Sequence, residues 1–180
     1  MLAWSKDCAL RGLARILLAI QPTAERLSAE RILRQIGTTG DNITIRRNVI
    51  IQHPEKLVLG RNVMINHNTL INAGGGVEIG DDVVIGPGCM ILTGNHFGST
   101  FFGNLAYAPI KIGGNVWLAA QVVVTPGSNI GTNVLIGAGA VVTGNIPSNS
   151  IAVGSPARVV SALTLPYAPS STLSDTHLNR

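Results

Sequence analysis

Apolar residues recur at every sixth position through most of the chain. Neither a strand, with period two, nor a helix, with period 3.6, produces that spacing. Ile112, Leu118, Val124, Ile130, Ile136 and Val142 form one unbroken series. Ile45 and Ile51, then Leu59, Ile65 and Ile71, then Ile79, Ile85 and Ile91 carry the same beat. Two residues before the anchors stand Val63, Val77, Val83, Val116, Val122 and Val134. A parallel β-helix gives this pattern, because each six-residue step is one short strand plus one corner. Three steps close a coil of about eighteen residues, and coils stack at about 4.8 Å. The residue after each anchor is usually small or turn-forming: Gly60, Asn66, Asn72, Gly80, Gly86, Gly113, Ala119, Gly131 and Gly137. These are expected to take the corners in positive φ. The anchors point inward and stack, and no coil buries its interior alone.

The beat is broken three times. It slips by two residues at His53-Pro54-Glu55 and again at Ala73-Gly74-Gly75-Gly76, which predicts two small corner bulges. A longer gap between Ile91 and Ile112 must loop out of the prism. The remaining hexads make about five coils, a prism about 24 Å tall.

Ahead of the repeat, residues 8–20 read as a helix with Leu10, Leu13, Leu17 and Ile20 on one face and Arg11 and Arg15 on another. A second helix starts at Pro22 and Thr23, runs through Leu27, Ile32 and Leu33, and ends at Gly37. The expected organisation is an N-terminal helical segment over 1–37, a β-helix over 41–160 and a tail over 161–180. Two readings of the helical pair stand side by side: a cover over the open bottom coil, and a basic amphipathic surface that brings residues 8–20 to a membrane.

Charge and cysteine content narrow the classes. Ten of the thirteen Lys and Arg lie between Lys6 and Arg61 without interleaved aromatics, so a nucleic-acid partner is not expected. Cys8 and Cys89 form no disulfide framework, and Cys89 falls at an inward repeat position as a small core residue. A reducing cytoplasm is expected, with or without peripheral contact at the inner membrane. The apolar run from Ile16 to Ile20 is too short to span a bilayer, and Asp7, Arg11 and Arg15 interrupt any signal-peptide core.

A solenoid is not in itself an activity. His96 lies in Thr93-Gly94-Asn95-His96, where the chain leaves the prism beside Phe101, Phe102 and Tyr107. By residue type it suits a general base near neutral pH, or it is an unengaged loop histidine. His53 reads as a surface histidine in a corner bulge, and His177 lies in the tail.

Several stretches together resemble the hexapeptide-repeat acyltransferases, in the sugar O-acetyltransferase branch with galactoside, maltose and nodulation-factor acetyltransferases. They are Val77-Glu78-Ile79-Gly80-Asp81-Asp82-Val83-Val84-Ile85-Gly86-Pro87, Thr93-Gly94-Asn95-His96, Ile112-Gly113-Gly114-Asn115-Val116-Trp117-Leu118, Ile136-Gly137-Ala138-Gly139-Ala140-Val141-Val142-Thr143, Asn145-Ile146-Pro147 and Ala152-Val153-Gly154-Ser155-Pro156-Ala157-Arg158-Val159-Val160. The resemblance covers about 60–160. It implies an all-β left-handed parallel β-helix with an N-terminal α-helical segment and an excursion loop, and acetyl-CoA as co-substrate with no metal. It implies a homotrimer with sites between neighbouring prisms, where His96 of one chain would face Trp117 of the next. The exposed Val, Leu and Ala walls around 116–142 suit such packing.

Carried over by resemblance, His96 is the catalytic base. The backbone N–H at Ala120 holds the oxyanion. Trp117, Ala138, Thr143 and Arg158 line the coenzyme, with Arg158 nearest its phosphates. Asn66 binds the acceptor, a sugar or glycan precursor of the kind used in polysaccharide biosynthesis. By residue type alone, Trp117 also reads as an aromatic filling a coil corner and Asn66 as a plain corner asparagine.

There are departures. Gly144 stands where many relatives carry lysine, Gly74 where the galactoside enzymes carry a carboxylate that touches the acceptor, and His67 where that branch has an aromatic. Serine O-acetylation and amino-sugar N-acetylation are the nearest alternatives. A γ-carbonic-anhydrase-like metalloenzyme would need a closely spaced histidine pair, which His67 and His96 do not make. A non-catalytic β-solenoid would want a flat repeated Thr or Ser face.

Overall fold

The inward positions found at every sixth residue build a single apolar column. A computed structural model describes residues 27–96 and 105–164. The helix expected over 8–20, the start of the second helix, Cys8, Phe101, Phe102 and the tail from 165 onward lie outside the described residues.

The chain winds as a left-handed parallel β-helix of five full coils. β1 (Thr38–Thr39), β2 (Thr44–Ile45) and β3 (Ile50–Gln52) form the first coil. β4 (Leu57–Leu59), β5 (Met64–Ile65) and β6 (Leu70–Asn72) form the second, and β7 (Val77–Ile79), β8 (Val83–Ile85) and β9 (Met90–Leu92) the third. A hairpin of β10 (Gly94–His96) and β11 (Leu105–Tyr107) then leaves the prism. β12 (Ile110–Ile112), β13 (Val116–Leu118) and β14 (Val123–Val124) form the fourth coil, and β15 (Asn129–Ile130), β16 (Val134–Ile136) and β17 (Val141–Val142) the fifth. β18 (Asn145–Ile146) and β19 (Ser150–Val153) begin a sixth, and β20 (Arg158–Ala162) turns back antiparallel along β19. Equivalent strands stack into three parallel sheets, which are the three walls.

Every anchor of the six-residue series from Leu59 to Val142 is buried, as are Val63, Val77, Val83, Val116, Val122 and Val134. Ile51, in the bottom coil, is only partly buried. Cys89 is fully buried, and loss of water pushes its thiol pKa up, which keeps it protonated and inert. Below the first coil a helix over 27–33 sets Ala29, Ile32 and Leu33 against the core.

The two register slips lengthen the lower coils. Leu57 pairs with Val77 and Met64 with Val84, twenty residues on, whereas Val116 pairs with Val134, eighteen on. A 3-10 turn at Pro54–Lys56 and the Gly74–Gly76 turn absorb the extra residues. The expected loop-out between Ile91 and Ile112 is an antiparallel hairpin in its described part, with Gly94 opposite Tyr107 and His96 opposite Leu105.

The corner expectation needs correction. Positive φ falls three residues after the anchor: at Asn62, Asn68, Asp82, Asn115, Gln121 and Asn133, each between 52° and 60°. The glycine directly after the anchor serves close approach instead. A Cβ at Gly80 would lie 2.8 Å from the Gly113 backbone, and one at Gly113 would lie 2.7 Å from that of Gly131. Successive coils simply come too near there for a side chain.

The positive-φ residues stack in turn. The Asn42 side-chain amide donates to Asn62 Oδ1 at 2.9 Å, Asn62 to Asp82 at 2.8 Å, Asn115 to Asn133 at 2.9 Å and Asn133 to Asn149 at 2.8 Å. One residue type thus supplies both the left-handed corner and a side-chain ladder. Asn133→Ala should cost about 2–3 kcal/mol from backbone strain and the lost bonds to Asn115, Asn149 and the Leu163 carbonyl, while Asn133→Gly should cost about half of that. Urea unfolding of the two variants checks the order.

Beside this ladder Asp81 accepts from the Arg61 backbone N–H at 2.8 Å and from the guanidinium Nη2 at 2.8 Å. Those bonds hold its carboxyl pKa below the usual 3.8. A depressed carboxyl contributes fully above its unfolded value and loses the contribution as pH falls through the folded one. The difference in melting temperature between the wild type and Asp81→Asn should therefore be steady from pH 7 to 5 and shrink below about 4, as scanning calorimetry across pH would record. Both side chains are exposed, so the whole effect should be small and salt-sensitive.

Candidate functional site

Coil geometry leaves one backbone donor over at each corner. The residue after an anchor donates its N–H to the next coil, as Ala119 does to the Ile136 carbonyl at 2.9 Å. The third residue donates to the coil before, as Gln121 does to Pro87 and Gly139 to Ala120, both at 2.9 Å. The second residue has no ladder partner. At the corner between the second and third sheets that position is filled, from bottom to top, by Arg47, His67, Pro87, Ala120 and Ala138. The N–H groups of Ala120 and Ala138 donate to nothing among the described residues. At the corner between the first and second sheets, Arg61 N–H goes to Asp81 and Thr132 N–H to Ser148 Oγ at 2.9 Å. Two free donors therefore stand one coil apart on one edge, with Ala138 exposed.

Trp117, the middle residue of β13, faces outward on the wall leading to that edge. It lies between Val84 and Leu135 and is 37% exposed. Thr143 is exposed just beyond β17. Ala157 donates its N–H to the Val141 carbonyl at 2.7 Å, which brings the start of β20 over the fifth coil. Arg158 is exposed there, its Nη1 turned to the Ala157 carbonyl at 2.9 Å. Trp117, Ala120, Ala138 and Arg158 thus lie at the upper part of one edge and its flank, whereas Thr143 follows β17 at the corner between the third and first sheets.

Asn66 is on the same edge, two coils below Ala119, and its side-chain amide donates to the Ile85 carbonyl at 2.9 Å. Its Oδ1 has no partner among the described residues. Neighbouring His67 carries a buried Nδ1 without a hydrogen-bond partner.

His96 is elsewhere. Its backbone ends β10, on the hairpin that leaves from the third sheet toward the first. One chain does not bring His96 and the Ala120 edge together.

The hairpin corner holds a network that the six-residue pattern does not reveal. Asn72 donates to Gln52 Oε1 at 2.8 Å, and its Oδ1 accepts the Gly74 N–H at 3.0 Å. Thr93 Oγ1 donates to the Asn72 carbonyl at 2.8 Å and accepts the Gly75 N–H at 2.9 Å, while Lys56 Nζ donates to the Gly74 carbonyl at 2.9 Å. The twenty-residue offset between Gln52 and Asn72 was the only sequence signal.

An open trough of about 660 Å³ runs along the first wall, past Val58, Glu78, Lys111 and Asn129. Gly80, Gly113 and Gly131 form its side, so it follows from the close-approach glycines, and it contains none of the candidate residues. Glu78 and Lys111 pair across it at 3.2 Å. Among the described residues no group of three or more His, Cys, Asp or Glu converges as a metal site would require.

Comparison with known proteins follows the same geometry. Residues 109–144 match the family model described as bacterial transferase hexapeptide (six repeats). A 58-residue stretch is 50% identical to galactoside O-acetyltransferase of Escherichia coli K12, covering 32% of this chain and 29% of that protein. The matched segment spans about a third of the length of the curated relatives. Among solved structures, a maltose O-acetyltransferase from Clostridium difficile 630 superposes with a TM-score of 0.71 at 34% identity, over 75% of this chain and 74% of that one. A hexapeptide-repeat acetyltransferase from Vibrio cholerae O1 biovar eltor, complexed with acetyl coenzyme A, gives 0.71 at 27% identity over 91% and 92%.

Proposed function

Because this chain belongs to the hexapeptide-repeat transferases, in the branch that holds the galactoside and maltose O-acetyltransferases, we propose that it moves an acetyl group from acetyl-CoA to a hydroxyl of a sugar or glycan precursor. The observation that carries this reading is the pair of unspent N–H donors at Ala120 and Ala138, beside an exposed Trp117. Pantetheine offers amide carbonyls to such donors, and its thioester carbonyl needs one when it becomes an oxyanion.

In this reading His96 removes the proton from the acceptor hydroxyl, whose oxygen attacks the thioester carbonyl. The Ala120 N–H stabilises the resulting negative charge. The C–S bond then breaks, the sulfur takes the proton back from His96, and the products are acetyl ester and free coenzyme A. Thr143 and Arg158 accompany the distal coenzyme, where the guanidinium suits a phosphate. Asn66 offers its free Oδ1 to the acceptor. His96 and the Ala120 edge lie on different corners, so the complete site is formed between chains, and a homotrimer is the assembly that closes it.

Acetyl transfer to a panel of sugars, amino sugars and serine, followed by product mass, tests the reading. His96→Ala should lower turnover by at least about 10²-fold with coenzyme affinity retained. Failure to bind coenzyme A, or transfer indifferent to the variant, would overturn it. Pro87 already occupies the Ala120 position one coil lower, so the corner accepts proline. Ala120→Pro should therefore stay folded and lose about 10²–10³ in kcat, as steady-state kinetics alongside a melting curve would record.

A further inference from the structure

On the hairpin corner the ring of Tyr107 lies in a niche made by two glycines. A Cβ at Gly74 would sit 2.5 Å from Tyr107 Cε1 and 3.0 Å from Cζ, and one at Gly94 would sit 3.1 Å from Cε1. Any side chain at Gly74 would therefore displace the ring. The glycine floor is itself held by hydrogen bonds from Asn72, Thr93 and Lys56. Despite this seat Tyr107 remains 44% exposed, and its hydroxyl has no partner among the described residues. Tyr107 is opposite Gly94 in the hairpin, and the His96 backbone is opposite Leu105 two pairs along.

A half-open aromatic ring, fixed from beneath and two pairs along the hairpin from the His96 backbone, has the form of a stacking platform. We infer that Tyr107 is a specificity-determining residue for the acceptor, offering its ring to the apolar C–H face of a pyranose. The inference rests on the acetyltransferase reading and deepens it. The platform selects a ring over an acyclic hydroxyl acceptor such as serine. The hydrogen-bonded groups around it are neutral apart from cationic Lys56, which favours a neutral sugar over a protonated amino sugar. Tyr107 positions the acceptor and takes no part in proton transfer.

The test compares Tyr107→Leu, which refills the niche without an aromatic face, with Tyr107→Phe. Gly74→Ala is the third variant and should unseat the ring without touching it chemically. Acetyl transfer to methyl pyranosides and to serine is measured by product mass, with KM and kcat separated. Tyr107→Leu and Gly74→Ala should each raise the pyranoside KM about tenfold. Their kcat should stay within about threefold, acetyl-CoA KM should be unchanged and any transfer to serine unaffected, while Tyr107→Phe should resemble the wild type. An unchanged pyranoside KM in Tyr107→Leu, or an equal rise for serine or acetyl-CoA, would overturn the inference alone. Wild-type protein that acetylates nothing in the panel would overturn the acetyltransferase reading and this inference with it. A variant that melts early is judged by its KM ratio between pyranoside and serine, which a general loss of folded protein does not move.

Discussion

Vertical contact between coils is the constraint on which everything else depends. An anchor such as Ile136 is dry only because Leu118 lies beneath it and Ala152 above, and the walls pair only with their counterparts in the neighbouring coils. Stability is therefore a sum over neighbouring coils, and each corner must bring backbone against backbone. Gly80, Gly113 and Gly131 permit that approach, and the asparagine ladder holds the left-handed turn that follows.

The same constraint creates the opportunity for chemistry. A corner that sends its first N–H up and its third N–H down leaves the second without use. Some corners spend it on a carboxylate or hydroxyl, as Arg61 and Thr132 do, or lack it, as at Pro87. The edge at Ala120 and Ala138 does neither, and small side chains there leave the donors open. A repetitive scaffold becomes specific through such omissions, and through the hairpin inserted where the repeat halts.

The walls and the core were readable from sequence because an inward position admits only apolar side chains, so burial writes the period directly. Both slips were readable for the same reason. The left-handed corner was not. Glycine after the anchor looks like a turn residue, but its missing Cβ answers to the next coil, and positive φ belongs to the asparagine two places on. Tyr107 was also hidden. Its seat depends on Gly74, thirty-three residues earlier, a distance that no local pattern spans. Trp117, Ala120, Ala138, Thr143 and Arg158 came from a family resemblance, and the spare-donor geometry gives two of them an independent physical reason.

The most direct measurement of the central claim is a crystal structure of the protein with bound coenzyme A. Pantetheine carbonyls within about 3.2 Å of the Ala120 and Ala138 nitrogens, on the edge beside Trp117, are the predicted result. Coenzyme seated in the Gly80, Gly113 and Gly131 trough, with both alanine donors still free, would contradict it.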